Sequence, residues 1–210
     1  MSKPTQRYDV RVLVLALIAV AAGAFVLLRL GANDAGPPGS EAVPSHEAAI
    51  GGPFALLDQD GNARSDAEFR GKLMLVFFGY TFCPDVCPLA LSTMASAVDA
   101  LGDKASEVVP LFVTVDPDRD TPARLKDYTA KFGPRIVALT GPADALAQAA
   151  KSYRVYYGIP AEKEKEKEGA AHVMDHSAII FLMGRDGKYL THFNMHASAP
   201  EISAKIAEHL

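Results

Sequence analysis

Apolar residues run unbroken by charge from Val12 to Leu28, with Arg11 and Arg29 at the two ends. About 17–20 such residues suffice to cross a bilayer core as a helix. Lys3, Arg7 and Arg11 precede the run, while Asp34, Glu41 and Glu47 follow it, an asymmetry that keeps the N-terminus in the cytoplasm. From Gly31 to Ala49 the pattern loses all period and becomes rich in Gly, Pro, Ser and Ala, which reads as a tether. The hydropathy pattern therefore predicts a short cytoplasmic segment over 1–11, a transmembrane anchor over 12–30, a flexible tether over 31–49 and a folded domain over 50–210. Ala22-Gly-Ala24 resembles a small-residue cleavage site, but apolar residues continue to Leu30, so a retained anchor is favoured over a cleaved signal peptide. The leading segment is too short for a mitochondrial presequence. The expected location is the bacterial plasma (inner) membrane, single-pass, with the C-terminal domain on the periplasmic side.

Within the domain, the periods alternate between strand and helix. Phe54–Leu57 and the Asp60-Gly61 turn predict a small hairpin, and Leu73–Gly79 a buried strand. Leu91, Met94, Ala95, Val98 and Leu101 then share a helical face. Pro88 is tolerated only in a first turn, so that helix begins near Asp85 or Val86. Val108–Val115 is a second strand. Thr121 caps a helix with Pro122 at its first position, Leu125, Tyr128 and Phe132 on one face, and Gly133-Pro134 at its end. Ile136–Leu139 is a third strand, and Pro142 opens a helix with Leu146, Ala149, Ala150 and Tyr153 inward. Ser177–Met183 and Lys188–Phe193 alternate across Arg185-Asp-Gly187, a hairpin signal. Ser198–Glu201 forms a capping box for a last helix. The order β-α-β-α-β-α-β-β-α predicts parallel strands joined by crossover helices, with antiparallel strands added by the hairpin. This is an α/β, thioredoxin-like fold: a mixed sheet with flanking helices.

Charge and composition narrow the function. The 210-residue chain has a net charge of −4 and no basic stripe, so nucleic acid is not an expected partner. Its two cysteines, Cys83 and Cys87, are too few and too close for a disulfide scaffold. They lie at a strand-to-helix junction, where the helix N-terminus favours thiolate over thiol. Three residues separate them, one more than in a thioredoxin-type pair, so a metal site competes with a redox site. Cysteine thiolates are soft ligands for Cu(I), zinc or iron–sulfur clusters, but two cannot complete a structural zinc site. His176, in Met174-Asp-His176, stands at the entrance of the hairpin strand, a region that faces the cysteine junction in a thioredoxin-like fold. Cys83, Cys87 and His176 make a set suited to trigonal Cu(I), and to Cu(II) with a further ligand.

Other features carry less. Asp116-Pro-Asp-Arg-Asp120 resembles a calcium loop, yet lacks the glycine at its sixth position and runs into Pro122. It reads as a rigid capped loop, or as a surface that docks a partner and supports the site. His192, Met195 and His196 read as surface and packing residues. The tract Glu162–Glu168 alternates Glu with Lys and reads as a solvated insertion.

Three blocks in this order, Gly79-Tyr-Thr-Phe-Cys-Pro-Asp-Val-Cys-Pro88, Val115-Asp-Pro-Asp-Arg-Asp-Thr-Pro122 and Asp175-His176, together with the anchor, resemble the Sco/SenC family of membrane-tethered copper chaperones. The resemblance implies copper binding through Cys83, Cys87 and His176, and a role in assembling the CuA centre of cytochrome c oxidase. It implies as partners the CuA-bearing subunit and other copper chaperones or thioredoxin-like reductants. The residues leave two readings open: a metallochaperone that is not an enzyme, and a tethered thiol–disulfide oxidoreductase using Cys83 and Cys87 as its redox pair.

Overall fold

The computed structural model describes residues 50–158 and 175–210, within a unit spanning Glu47–Leu210. The predicted segments 1–11, 12–30 and 31–49 and the tract Glu162–Glu168 lie outside the described residues. Among the described residues no helix is long and apolar enough to cross a membrane. The elements are β1 (Ala55–Asp58), β2 (Ala63–Ser65), β3 (Leu73–Gly79), α1 (Val86–Asp99), β4 (Val108–Thr114), α2 (Pro122–Thr129), β5 (Val137–Thr140), α3 (Ala143–Ser152), β6 (Tyr157–Gly158), β7 (Asp175–His176), β8 (Ile179–Met183), β9 (Tyr189–Asn194) and α4 (Ala199–Ala207).

Seven strands form one sheet in the order β2-β1-β5-β4-β3-β8-β9. β3, β4 and β5 are parallel, and β8 and β9 extend the sheet antiparallel from β3. This is the predicted mixed sheet. All seven residues of β3 are buried, as expected for a central strand covered on both faces. The register sets Phe77 beside both Phe112 and Ile180. That face is covered by α1, whose Ala90 and Thr93 line a small pocket with Phe77 and Ile180, and by α2, whose Tyr128 packs on Phe112. Phe78 and Phe181 point the other way and pack on Tyr153, at the end of α3, with ring centroids 5.3 and 5.5 Å apart.

The caps form as expected. Thr121 accepts a hydrogen bond from the Arg124 N–H, with Pro122 in the first turn, and Ser198 and Glu201 make the reciprocal capping box of α4. Gly187, at φ +75°, turns the β8–β9 hairpin. Two expectations need correction. The second helix was expected to stay regular through Phe132, but α2 ends at Thr129 and Ala130–Phe132 tighten into a 3-10 turn. The hairpin strand was expected from Ser177, but β8 begins at Ile179, and His176 belongs to a separate two-stranded sheet of β6 and β7. The break arises because Ser177 turns its N–H to the Tyr156 carbonyl, away from the main ladder.

The first hairpin is tied by one carboxylate. Asp58, only 2% exposed, accepts from the N–H groups of Asp60 and Asn62, the Asn62 side chain and Arg64 Nε. Burial acts to raise its pKa, but the hydrogen bonds from Asn62, Arg64 and Asp60 outweigh it and hold the carboxyl below its ordinary value. Its contribution is therefore present in full above about pH 4 and is lost as pH falls through the lowered folded value. Asp58→Ala is expected to cost about 1–3 kcal/mol at neutral pH, with a smaller difference from the parent chain at pH 3. Urea unfolding at the two pH values measures both.

Candidate metal centre

β3 delivers the chain into the loop that carries the thiols. The loop closes on itself, the Cys83 N–H donating to the Tyr80 carbonyl at 3.3 Å. α1 then starts at Val86, so Pro88 falls in its first turn, as its missing N–H requires. The N-cap residue Asp85 makes no side-chain bond to the helix. Instead, the Cys87 N–H donates to Cys83 Sγ at 3.4 Å. Sulfur takes the place of a capping oxygen, and the positive end of the helix is aimed at Cys83.

Cys83 and Cys87 are thiols not joined by a disulfide, but they are not equivalent. Cys83 is 8% exposed and Cys87 is sealed, at 0%. A hydrogen bond with Cys83, and then burial, push the Cys87 thiol far above its ordinary pKa, against a smaller opposing pull from the Tyr80 N–H. The expectation that the helix N-terminus favours both thiolates is therefore corrected for Cys87. Its sulfur lies inside the core, where desolvation and its neighbour outweigh the dipole. Gly79 makes room for it: a methyl group on Gly79 would sit 2.7 Å from Cys87 Sγ and 2.9 Å from the Phe112 ring.

The Asp116–Asp120 loop clamps the thiol loop. Asp120 is fully buried and accepts from the Thr81 N–H at 3.0 Å, the Thr81 hydroxyl at 2.5 Å and the Thr114 hydroxyl at 2.6 Å. Asp116 pairs with Arg119, and its N–H donates to the Thr114 hydroxyl. The guanidinium carbons of Arg119 and Arg124 lie 4.6 and 4.0 Å from the centroid of the Phe82 ring, an attractive cation–π arrangement, and Arg124 Nε also donates to the Thr81 hydroxyl. From the sequence this loop reads as rigid and capped, or as a surface that docks a partner and supports the site. Nothing in its local pattern marks Asp120 as buried, because the partner that fixes it, Thr81, is 39 residues away.

His176 is placed by its backbone, paired with Tyr157 across β6 and β7. β8 runs antiparallel to β3, with Ile180 opposite Phe77, so the chain entering β8 passes the end of β3 from which the thiol loop departs. Ala178 lines the same small pocket as Ala90 and Thr93 of α1. Among the described residues no three His, Cys, Asp or Glu groups converge as a metal cluster. The donor chemistry of the thiol pair is nevertheless that of a soft-metal site: two sulfurs brought together at the start of α1, with Cys83 the less buried. His192 and His196 are exposed, with His192 Nδ1 2.5 Å from the Tyr189 hydroxyl, and Met195 lines the small pocket beside Phe77.

A family model described as SCO1/SenC matches residues 42–210. A human protein described as "Protein SCO1 homolog, mitochondrial" is 37% identical over 163 residues, which are 77% of this chain and 53% of that protein. An SCO2-like protein of Rickettsia prowazekii (strain Madrid E) is 33% identical over 191 residues, 91% of this chain and 92% of that protein. The chain thus spans about half the length of the human relative and nearly all of the rickettsial one. Among solved structures, Bradyrhizobium japonicum ScoI with copper bound superimposes with a TM-score of 0.70 at 41% identity, covering 77% of this chain and 100% of that one.

Proposed function

The chain belongs to the SCO1/SenC family, and from that premise we propose that it is a metallochaperone that carries copper on Cys83, Cys87 and His176 to the CuA centre of cytochrome c oxidase. Residues 12–30 tether it to the bacterial inner membrane, with the domain over 50–210 on the periplasmic side. The observation that carries this reading is the asymmetric thiol pair, with Cys83 less buried and Cys87 fully sealed, on the fold of a relative solved with copper bound. Copper is cargo here. It meets Cys83 first, displaces the thiol protons of Cys83 and Cys87 to solvent, and is completed by the His176 imidazole. Release to an acceptor runs in reverse by ligand exchange, with the less buried sulfur, Cys83, exchanging first.

The reduced, hydrogen-bonded thiols also support a second reading, reduction of acceptor cysteines. Cys83 thiolate attacks an acceptor disulfide and releases one acceptor thiolate. Cys87 thiolate then attacks the mixed disulfide, forming a Cys83–Cys87 disulfide and releasing the second. Two electrons pass to the acceptor.

Anaerobic mixing separates the two. Cu(I)-loaded protein and a reduced CuA-bearing domain are combined, re-separated and analysed for metal. Copper moving to the acceptor, with slower or incomplete loading from His176→Ala, is the expected result. The metal-free protein is mixed in parallel with the oxidised domain; reduction there, with no copper transfer to the reduced domain, would replace the chaperone reading with the oxidoreductase.

A further inference from the structure

Asp120 holds the chain at the point where it leaves the sheet for the thiol loop. β3 ends at Gly79, whose carbonyl still accepts the Val115 N–H at 2.9 Å. Two residues later the Thr81 N–H finds its acceptor in the Asp120 carboxylate, at 3.0 Å. Asp120 is itself fixed, its own N–H donating to the Asp116 carbonyl at 2.9 Å. A carboxylate only accepts, so the direction of every bond in the network follows. The Thr81 hydroxyl accepts from Arg124 Nε at 3.0 Å and donates to Asp120 at 2.5 Å. The Thr114 hydroxyl accepts from the Asp116 N–H at 3.0 Å and donates to Asp120 at 2.6 Å. Both hydroxyl protons are thus committed, and an amide in place of the carboxylate would set its NH2 group against a donor. Stability alone does not call for this arrangement, because apolar residues of similar volume often serve as well in place of buried ionic groups. What the carboxylate adds is a fixed placement of Thr81, two residues before Cys83.

We propose that Asp120 is a positioning residue for the metal ligands, holding the segment from Thr81 to Cys83 in its ligand-presenting shape before metal arrives. This rests on the copper reading above. Each step from Asp120 to the sulfur is an observed contact. Thr81 is held at both its N–H and its hydroxyl, and the Phe82 ring lies against the guanidinium groups of Arg119 and Arg124. The Cys83 N–H donates to the Tyr80 carbonyl, and Cys83 Sγ accepts from the Cys87 N–H. A ligand drawn from a loose loop binds with an affinity reduced by the fraction of time the loop spends in the competent shape. Anchoring Thr81 on a buried, fixed carboxylate keeps that fraction high in the metal-free protein.

The test compares the full-length protein with Asp120→Asn, Thr81→Val and Thr81→Ser. Asp58→Ala serves as a control, because it removes a buried carboxylate from β1, which two strands separate from β3. Two quantities are measured at neutral pH, where circular dichroism shows each protein folded. One is Cu(I) affinity by chelator competition. The other is the rate at which iodoacetamide alkylates Cys83 in the metal-free protein, followed by mass spectrometry. Asp120→Asn and Thr81→Val are expected to bind Cu(I) about ten- to a hundredfold more weakly, the scale for a lost supporting contact. Their Cys83 should be alkylated about tenfold faster, as loss of a hydrogen bond to a carboxylate loosens the loop. Thr81→Ser keeps the hydroxyl and is expected to recover both readouts, while Asp58→Ala loses stability with both unmoved. Unchanged affinity or unchanged alkylation in Thr81→Val overturns this inference and leaves the copper reading standing, and Thr81→Val decides alone if Asp120→Asn does not fold. Thr81→Ser as impaired as Thr81→Val also overturns it, as does Asp58→Ala that weakens copper binding equally. A parent chain that binds no copper through Cys83 and Cys87 removes both this inference and the copper reading.

Discussion

Cys83→Ala/Cys87→Ala is expected to lose Cu(I) binding altogether in competition with a chelator, and each single replacement to lose most of it. The two singles fail for different reasons. Cys83→Ala removes the less buried sulfur and leaves the Cys87 N–H at the start of α1 without its acceptor, so a small loss of helix stability accompanies the loss of metal. Cys87→Ala leaves the less buried sulfur in place but removes the ligand that lies inside the core. The parent chain's affinity should also depend on pH with a definite sign. Because the hydrogen bond with Cys83 and burial hold the Cys87 thiol protonated, copper must displace a proton to bind. Protons therefore compete with copper, and affinity rises with pH, by about tenfold per unit for each proton displaced. Chelator competition across pH 6 to 8, with proton release followed in weak buffer, reads both effects. An affinity that is flat in pH, or that rises in acid, contradicts the ligand set.

Gly79→Ala should damage the site without touching a ligand. The added methyl would meet Cys87 Sγ at 2.7 Å, the Phe112 ring at 2.9 Å and the Phe77 ring at 3.0 Å. None of these can retreat easily. Phe77 and Phe112 are fully buried and 6.3 Å apart between centroids, and Cys87 is held in the first turn of α1. Overpacking of this kind costs about 1–3 kcal/mol, and here the displaced group is the sulfur itself. A loss of Cu(I) affinity of about ten- to a hundredfold is expected, the scale seen when a ligand's supporting contacts are removed. Chelator competition and urea unfolding of Gly79→Ala check the two effects separately. Gly79→Ala that binds copper with the parent's affinity would show that Cys87 is not a ligand in its observed position.

The parts of the fold legible in the sequence are those fixed by local chemistry. β3 shows as an unbroken apolar run because it is buried on both faces. The start of α1 shows through Pro88, and the starts of α2 and α4 through Thr121-Pro122 and the Ser198–Glu201 capping box. What stayed hidden depends on contacts distant in sequence. β6 and β7 are two residues each, too short to show alternation, so His176 reads as the entrance of the hairpin strand and not as part of a small sheet of its own. Asp120 sits in a loop rich in acidic residues whose local pattern gives no sign of burial, and the Thr81 N–H and the Thr81 and Thr114 hydroxyls together satisfy its carboxylate. Tyr128 reads as an inward position, which it is, but a helical period cannot show that its hydroxyl would have no hydrogen-bond partner among the described residues. The thiol pair was legible as chemistry and not as geometry. Its spacing suggested two similar thiolates, whereas burial leaves Cys83 slightly exposed and Cys87 sealed.

X-ray absorption at the copper edge of the Cu(I)-loaded protein tests the central claim most directly. The account predicts a first shell of two sulfurs and one imidazole nitrogen. In His176→Ala the nitrogen alone should disappear, and in Cys83→Ala/Cys87→Ala no sulfur-ligated copper should remain. A first shell without sulfur in the parent chain, or one unchanged in Cys83→Ala/Cys87→Ala, would contradict it.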